Sequence, residues 1–211
     1  MEKKLERIII KGSASWAKVF TPDTKFNPAG VYSIDLIVPE DEAASVCEQL
    51  DNICEAEFNK HVKANPKLKA SLSIRKPYAP ELDDNGDETG NLVFKAKKNA
   101  GGTRKDGTAW TGSPPVVMDA KRNPIKDVLI GNGSIVKMAV DLVPYMMQST
   151  KQVGVSFRLV GVQVLELVEY GNGAGMFDEE DGFVAEAVAK DDASENVFDD
   201  NQVDADAEGD F

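Results

Sequence analysis

Most of this sequence consists of short apolar runs whose side chains alternate, and a single segment changes to the spacing of a helix. In residues 41–64, apolar side chains recur three and four positions apart, which places them on one helical face. Acidic residues 40–42 stand where this helix would begin, and Asn65-Pro66 would stop it. The apolar face consists of Val46, Leu50, Ile53, Cys54, Phe58 and Val62. We therefore predict one long helix in a chain that is otherwise rich in strands.

The other apolar runs are rich in β-branched residues and predict short strands. Residues 99–114 are glycine-rich, polar and basic without periodicity and predict a long loop, and residues 144–151 predict a second loop. Gly161 is expected to form a bulge or bend within the last strand. The predicted strands cover 5–11, 16–20, 30–38, 92–97, 115–119, 134–143 and 152–168.

The predicted strands do not alternate with helices, which argues against a parallel α/β fold and favours an antiparallel barrel or sandwich. A five-stranded barrel with one helix and long loops is the architecture of the OB fold, which often binds single strands of nucleic acid across its open face. We therefore predict a mainly β protein, an OB-fold antiparallel barrel capped by one α-helix.

The formal net charge of -12 is concentrated at one end of the chain. Residues 176–211 hold 14 acidic residues and one basic residue, whereas residues 1–175 hold 23 basic and 22 acidic residues. This asymmetry is typical of an interaction tail. The acidic segment also has too few apolar residues to offset the entropy lost on ordering it. We expect an OB-fold domain in 1–170, a glycine-rich hinge in 171–175 and a disordered acidic tail in 176–211.

The sequence offers little for catalysis. Its one histidine, His61, lies on the predicted helix and is interpreted as a half-exposed helix residue and not as a member of a catalytic triad, and one histidine with two cysteines cannot complete a structural zinc site. Cys47 and Cys54 lie seven positions apart on the predicted helix, too far for a disulfide, and we expect both to be reduced and buried. No signal-peptide pattern or apolar run of membrane-spanning length occurs. The expectation is a cytoplasmic protein that is not an enzyme, needs no metal or cofactor and does not bind membranes.

Basic residues interleaved with aromatic residues point to a nucleic-acid surface. A protein that binds single strands needs positive charge to follow the phosphates and aromatic faces on which bases stack. Each stacked base contributes about 1–3 kcal/mol whatever its identity, so the expected binding is not sequence-specific. The candidate DNA-binding residues are Lys95, Lys97, Lys98, Arg104, Lys105, Trp110, Lys137, Tyr145, Lys151 and Arg158.

The acidic segment ends on a lone aromatic residue, Phe211. Disorder and solubility do not require an apolar ring at this place, whereas a ring beside carboxylates suits a pocket flanked by basic residues. The negative charge would steer the segment to basic partners and would compete with DNA for the protein's own surface. The candidate partner-binding residues are Asp206, Glu208, Asp210 and Phe211.

Several motifs, taken in order and spacing, give a resemblance to a known family. From about Lys3 to Phe211 the chain resembles the single-stranded DNA-binding proteins of T-odd, podovirus-type bacteriophages. The matching motifs are Gly30-Val31-Tyr32, Asp35-Leu36, Asp84-Asn85-Gly86, Phe94-Lys95, Val116-Val117-Met118-Asp119, Ile130-Gly131, Gly133-Ser134, Leu142-Val143-Pro144-Tyr145 and Gly209-Asp210-Phe211.

The resemblance implies a role in phage DNA replication and recombination within the infected host cell. It implies homodimerisation, annealing of complementary strands, and contacts of the acidic tail with the phage DNA polymerase and primase-helicase. By position, it implies DNA contacts for Lys3, Lys97 and Tyr145. Asn99 and Met147 stand where the family has aromatic residues, so base stacking there would pass to Trp110 or Trp16.

An alternative from a different class of protein stays open at this point. The barrel would then be a scaffold that does not bind DNA, and the acidic tail would mimic nucleic acid to engage a basic partner. Binding of labelled single strands by residues 1–175 distinguishes the two hypotheses, because only a DNA-binding barrel retains such binding.

Overall fold

Ten strands and one long helix make up the fold in the computed structural model, which describes residues 5–169. A short 3-10 helix, Pro66–Ala70, follows the long helix. The elements in chain order are β1 (Arg7–Asp23), β2 (Val31–Pro39), α1 (Glu40–Ala64), β3 (Ser73–Arg75), β4 (Tyr78–Leu82), β5 (Glu88–Asn99), β6 (Gly101–Thr103), β7 (Ala109–Thr111), β8 (Val116–Met118), β9 (Ile135–Met147) and β10 (Gln152–Glu166).

Five of these strands close into a barrel. Strand β1 pairs with β2 and β9, β2 pairs with β5, and β9 pairs with β10, all in antiparallel register. A parallel pairing of β10 with β5, at Phe157 opposite Ala96 and Arg158 opposite Lys97, joins the two ends of the sheet. This closure, with one parallel contact among antiparallel ones, gives the OB-fold barrel that the sequence predicts.

The short strands extend the barrel at its edges. Strand β4 pairs antiparallel with β5, while β3 and β8 each pair parallel with β10. Strands β6 and β7 form a separate two-stranded hairpin. These additions place further side chains beside β5 and β10, the two strands that meet where the barrel closes.

Alternating side chains of the barrel strands fill one core. In β2 every second residue is buried, from Tyr32 to Val38, and β9 follows the same alternation from Val136 to Leu142 except that Asp141 is buried as well. Phe94 of β5 is fully buried, and its ring centroid lies 6.2 Å from that of Phe157. Helix α1 adds buried side chains to the same cluster, namely Ala43, Leu50 and Cys54.

The predicted helix is confirmed, with bounds at Glu40 and Ala64. Three acidic residues occupy its first turn, as expected for the positive end of a helix dipole. Both cysteines are free; Cys54 is buried, as expected, whereas Cys47 is only partly buried. None of the helices in residues 5–169 is long and apolar enough to cross a membrane.

The predicted break in the first strand is wrong, because one continuous strand, β1, runs from Arg7 to Asp23 and joins the two predicted runs. Gly12 pairs with Val136 inside this strand. A Cβ at Gly12 would lie 2.5 Å from the carbonyl oxygen of Ile37, so the glycine permits close approach of strands rather than a turn. The irregularity comes later, where the register with β2 shifts after Ser15.

Two predicted loops are also wrong in part. Within 99–114 the chain forms the β6–β7 hairpin, in which Gly102 lies opposite Trp110. The first half of 144–151 extends β9, which continues to Met147, and only residues 148–151 form the turn before β10 starts at Gln152. The predicted bulge at Gly161 is confirmed by a register shift between Leu159 and Gly161. The expected hinge and tail lie outside the described residues.

Candidate nucleic-acid interface

Three surface clefts meet at Lys97, an exposed residue of β5. The first, here called the tyrosine cleft, measures about 760 Å³ and runs between β3, β4, β5 and β10. The second, the tryptophan cleft, measures about 500 Å³ and contains Trp110. The third, the loop cleft, measures about 210 Å³ and is bordered by the β1–β2 loop. Lys97 lines all three, so the clefts form one continuous surface.

In the tyrosine cleft, Gly154 lies between an arginine and an aromatic residue on the two neighbouring strands. Gly154 of β10 pairs with Arg75 on one flank and with Tyr145 on the other. A Cβ at Gly154 would come 3.0 Å from the Tyr145 hydroxyl oxygen, so the tyrosine ring packs across the glycine. The ring therefore has a fixed support, and the floor beside it is formed by Val155 and Phe157.

A hydrogen-bonded network anchored on helix α1 supports the opposite wall of the tyrosine cleft. The Lys76 ammonium donates to the carboxylate of Asp51 at 2.7 Å and to the Tyr78 hydroxyl oxygen at 2.9 Å. The Tyr78 hydroxyl donates in turn to Asp51 at 2.9 Å. The bond to Asp51, followed by that to Tyr78, raises the pKa of Lys76, and burial raises the pKa of Tyr78. Both side chains thus keep their protons at neutral pH.

In the tryptophan cleft, three charged residues lie opposite one another on neighbouring strands. Asp141 of β9 pairs with Arg7 of β1 on one side and with Arg158 of β10 on the other. Its carboxylate accepts from Arg7 Nε at 2.8 Å and from Arg158 Nη2 at 3.1 Å. Arg7 and then Arg158 hold the pKa of Asp141 below its usual range. Because both arginine side chains remain about half exposed, they can still contact an anion in the cleft.

The aromatic element of this cleft is supported by glycines. A Cβ at Gly102 would lie 3.0 Å from Trp110 Nε1, and one at Gly112 would lie 3.1 Å from Trp110 Cζ3. The indole therefore packs against the backbone of its own hairpin instead of entering the core. The neighbouring Lys98 donates to the carbonyl oxygen of Pro114 at 3.2 Å, which connects the segment that follows the hairpin to β5.

The combined surface is strongly basic. Seven basic side chains line the three clefts, against two acidic ones, Asp23 and Asp141. Such an excess within concave walls attracts a polyanion and raises its local concentration. The basic side chains are Arg7, Arg75, Lys76, Lys95, Lys97, Lys98 and Arg158.

The structure brings together six of the ten DNA-binding candidates proposed from charge and aromatic pattern. Lys95 and Tyr145 line the tyrosine cleft, Lys98, Trp110 and Arg158 line the tryptophan cleft, and Lys97 joins them. Lys95 also forms an ion pair with Asp35.

The other candidates lie elsewhere. Arg104 and Lys105 are exposed in the turn of the β6–β7 hairpin, and Lys151 lies in the turn before β10. Lys137 lines a fourth, apolar cleft together with Ile9 and Val116, and this cleft adjoins the tryptophan cleft at Val160. Lys3 and the tail residues Asp206, Glu208, Asp210 and Phe211 fall outside the described part of the chain.

Four residues of the surface were not among the predicted candidates: Arg7, Arg75, Lys76 and Tyr78. The segment from Arg75 to Tyr78 has the same mixture of basic and aromatic residues as the predicted candidates, so the pattern was available. No strand was predicted over Arg75–Tyr78, so nothing in the sequence placed these residues on a common face. Of the two tryptophans, Trp110 lines a cleft, whereas Trp16 is 67% exposed and lines none of the three.

The part of the chain that the structure describes contains no group of three His, Cys, Asp or Glu side chains placed to hold a metal ion. The surface formed by the three clefts combines basic side chains with the aromatic rings of Tyr145 and Trp110. A closed five-stranded barrel with such a surface belongs to the class of OB-fold proteins that bind single-stranded nucleic acids.

Comparison with known proteins identifies the family within this class. The family described as "Single-stranded DNA-binding protein, Bacteriophage T7" matches residues 11–167, and the chain belongs to it. The single-stranded DNA-binding protein of Escherichia phage T7 is 32% identical over 205 residues, covering 88% of this chain and 86% of that protein. The resemblance inferred from the sequence is thus confirmed, as is the prediction of a protein that is not an enzyme.

Solved structures agree on the fold. The crystal structure of gp2.5, the single-stranded DNA-binding protein encoded by bacteriophage T7, superposes with a TM-score of 0.60 at 27% identity, covering 87% of this chain and 100% of that one. The single-stranded DNA-binding protein of bacteriophage Enc34, solved in complex with single-stranded DNA, gives a TM-score of 0.53 at 14% identity, covering 79% and 89%. The second likeness concerns the fold alone.

Proposed function

We propose that this protein binds single-stranded DNA without sequence specificity along the surface where the three clefts meet. The observation that carries the proposal is the position of Lys97, which connects a cleft containing Tyr145 with a cleft containing Trp110. A strand that crosses Lys97 has phosphate partners and an aromatic ring on both sides. This is the combination that single-strand binding without base readout requires.

The electrostatics of the clefts support the same proposal. Phosphate contacts by lysine and arginine supply affinity but carry no sequence information. The stacking partners accept any base, because every base presents an aromatic face. In a duplex those faces are stacked on one another, so a double-stranded ligand forfeits the contribution of Tyr145 and Trp110. The name of the related phage T7 protein, a single-stranded DNA-binding protein, agrees with this preference.

We further propose a division of labour along the chain. Residues 1–170 form the DNA-binding domain, to which Lys3 contributes, residues 171–175 act as a hinge, and residues 176–211 form the disordered acidic tail. The tail recruits the phage DNA polymerase and primase-helicase, and its docking residues are Asp206, Glu208, Asp210 and Phe211. Binding protects exposed strands and promotes annealing, and the protein acts as a homodimer in the infected cell.

The test of DNA binding is a fluorescence anisotropy titration with labelled oligonucleotides at low salt. We expect the full chain to bind single-stranded DNA of graded lengths, with little binding to a duplex of the same length. A matched RNA oligonucleotide measures any preference between the two polymers. If neither the full chain nor residues 1–175 shifts the anisotropy, the barrel does not bind DNA, and the adaptor hypothesis is favoured.

The tail is tested separately. Removal of residues 176–211 takes away 14 acidic residues and one basic residue. Because this removes an anionic competitor and no described strand, single-stranded DNA should bind more tightly to the truncated chain, most visibly at low salt. The variant Phe211→Ala keeps the charge, so it should bind DNA as the full chain does but lose docking to the polymerase. Weaker DNA binding by the truncated chain would refute the competition.

A further inference from the structure

Phe26 is a large apolar ring that the fold leaves in water. Its side chain is 88% exposed, the highest value for any large apolar residue in the region 5–169. An exposed ring contributes almost no burial to the stability of the barrel. Exposed aromatic residues of this kind mark places where a ligand or a partner supplies the missing contact.

The ring is held on a braced turn. In the β1–β2 loop, the Lys25 amide donates to the Asp23 carboxylate at 2.9 Å, and the Ala29 amide donates to Asn27 Oδ1 at 3.1 Å. The Gly30 amide donates to the Asn27 carbonyl oxygen at 2.8 Å, and Gly30 has a φ of 81° that favours glycine. The backbone on both sides of Phe26 is therefore hydrogen-bonded, so binding to the ring requires little ordering of the loop.

The surroundings of the ring suit a nucleotide. Phe26 lines the loop cleft together with Lys97 and Asn99. The Lys25 ammonium lies over one face of the Phe26 ring, 5.3 Å from its centroid, so a base would stack on the opposite face of a ring that already has a cation behind it. Asp23, the carboxylate of this cleft, forms an ion pair with Lys18 and accepts a hydrogen bond from the Lys25 amide. These partners offset its negative charge and so weaken its repulsion of a phosphate.

The loop cleft also continues the other two clefts along one strand. On the outer face of β5, Val93, Lys95 and Lys97 border the tyrosine cleft, and Lys97 and Asn99 border the loop cleft. At about 3.3 Å per residue, the step from Lys95 to Asn99 covers about 13 Å. A strand that occupies the tyrosine cleft and runs along β5 therefore arrives at Phe26.

We propose that Phe26 is a stacking platform for one nucleobase of the bound strand, with Lys25 beside it as a phosphate partner. This inference rests on the proposed function and extends the binding path beyond Tyr145 and Trp110. It makes a prediction about length, because a short oligonucleotide that fills only the tyrosine and tryptophan clefts does not reach the ring. Only longer oligonucleotides gain affinity from it.

The experiment compares full-length Phe26→Ala, Phe26→Leu and Phe26→Trp with the wild type, using labelled oligo-dT of graded length in anisotropy titrations. Leu129→Ala is the matched control, since Leu129 is 68% exposed and lines none of the three clefts. We expect the alanine and leucine variants to bind long oligonucleotides about 5- to 150-fold more weakly, the range for loss of one stacked base. Their affinity for the shortest bound oligonucleotides should not change.

The tryptophan variant tests stacking directly. Phe26→Trp should keep the affinity for long oligonucleotides, and its added indole emission, relative to the wild type, should be quenched on binding.

Wild-type affinity of Phe26→Ala at every length would overturn the inference while leaving the proposed function intact. Wild-type affinity of Phe26→Leu alone would replace stacking by a simple apolar contact and also overturn it. A loss of dimer without a loss of DNA affinity would assign the ring to a contact between copies. If the wild type binds no oligonucleotide, the proposed function fails and the inference fails with it.

Discussion

Replacement of Lys97 by alanine tests the central position of that residue most directly. Lys97 lines all three clefts, and no hydrogen bond or ion pair engages its ammonium within the part of the chain that the structure describes. Lys76, Lys95 and the two arginines beside Asp141 all have carboxylate partners. Truncation of Lys97 therefore removes one positive charge from the clefts, and no carboxylate in the described region loses an ion-pair partner. The side chain is exposed, so the fold should be unaffected.

The expected size of the effect follows from counterion release. For single strands, each phosphate contact contributes about 0.7 to the slope of log affinity against log salt concentration. The seven basic side chains around the clefts together contribute at most about 5 to the wild-type slope. Loss of one contact should lower the slope by about 0.7, which corresponds to about 8-fold weaker binding at 50 mM salt and about 3-fold at 200 mM.

The assay is a salt series of anisotropy titrations with one oligonucleotide long enough to fill the three clefts. Lys137→Ala is the matched control, because Lys137 is also an exposed strand lysine but lines none of the three clefts. Its slope should remain that of the wild type. If Lys97→Ala leaves the slope unchanged, Lys97 does not contact phosphate. Equal losses in both variants would show that overall charge, and not the position of the clefts, governs affinity.

Two further predictions follow from the clefts. Tyr145→Ala should weaken binding by about 1–3 kcal/mol through loss of one stacked base, whereas Tyr145→Phe should bind as the wild type, with melting temperature as the control for folding. A wild-type affinity of Tyr145→Ala would remove this residue from the site. The pKa of Asp141 is lowered in the fold by Arg7 and Arg158, so its ion pairs should stabilise the protein above about pH 4 and lose this contribution as the pH falls toward the lowered pKa. The difference in melting temperature between wild type and Asp141→Asn should therefore shrink on acidification from pH 6, and a constant difference would show that the charge of Asp141 does not matter.

Elements with a local cause could be predicted from the sequence. The helix over Glu40–Ala64 follows from apolar spacing and from the residues at its two ends, all within one stretch of chain. The prediction of a mainly β barrel followed from counting strand-like runs around that helix. The register shift at Gly161 followed from the known effect of glycine in a strand.

Elements that depend on pairing were harder to predict. Strand β3 has no buried residue and is held by its parallel pairing with β10, so it shows no apolar alternation. The β6–β7 hairpin is held by three pairs and by the packing of Trp110 against glycines, which composition shows only as a polar, glycine-rich stretch. In both cases the segment forms a strand because another strand pairs with it, and its own sequence shows no apolar alternation.

The sequence by itself determined the OB-fold class, the separation of a nearly neutral body from an acidic segment, and six of the residues that line the three clefts. Only the tertiary structure decided which outward-facing cations share a surface. Lys97 and Lys137 occupy equivalent outward positions in their strands, yet barrel closure places Lys97 among the three clefts and Lys137 on an apolar patch. Arg7 and Asp141 meet across 134 positions of sequence because β1 and β9 pair. Alternation along a strand fixes whether a side chain points outward, whereas the order of strands around the barrel fixes its neighbours.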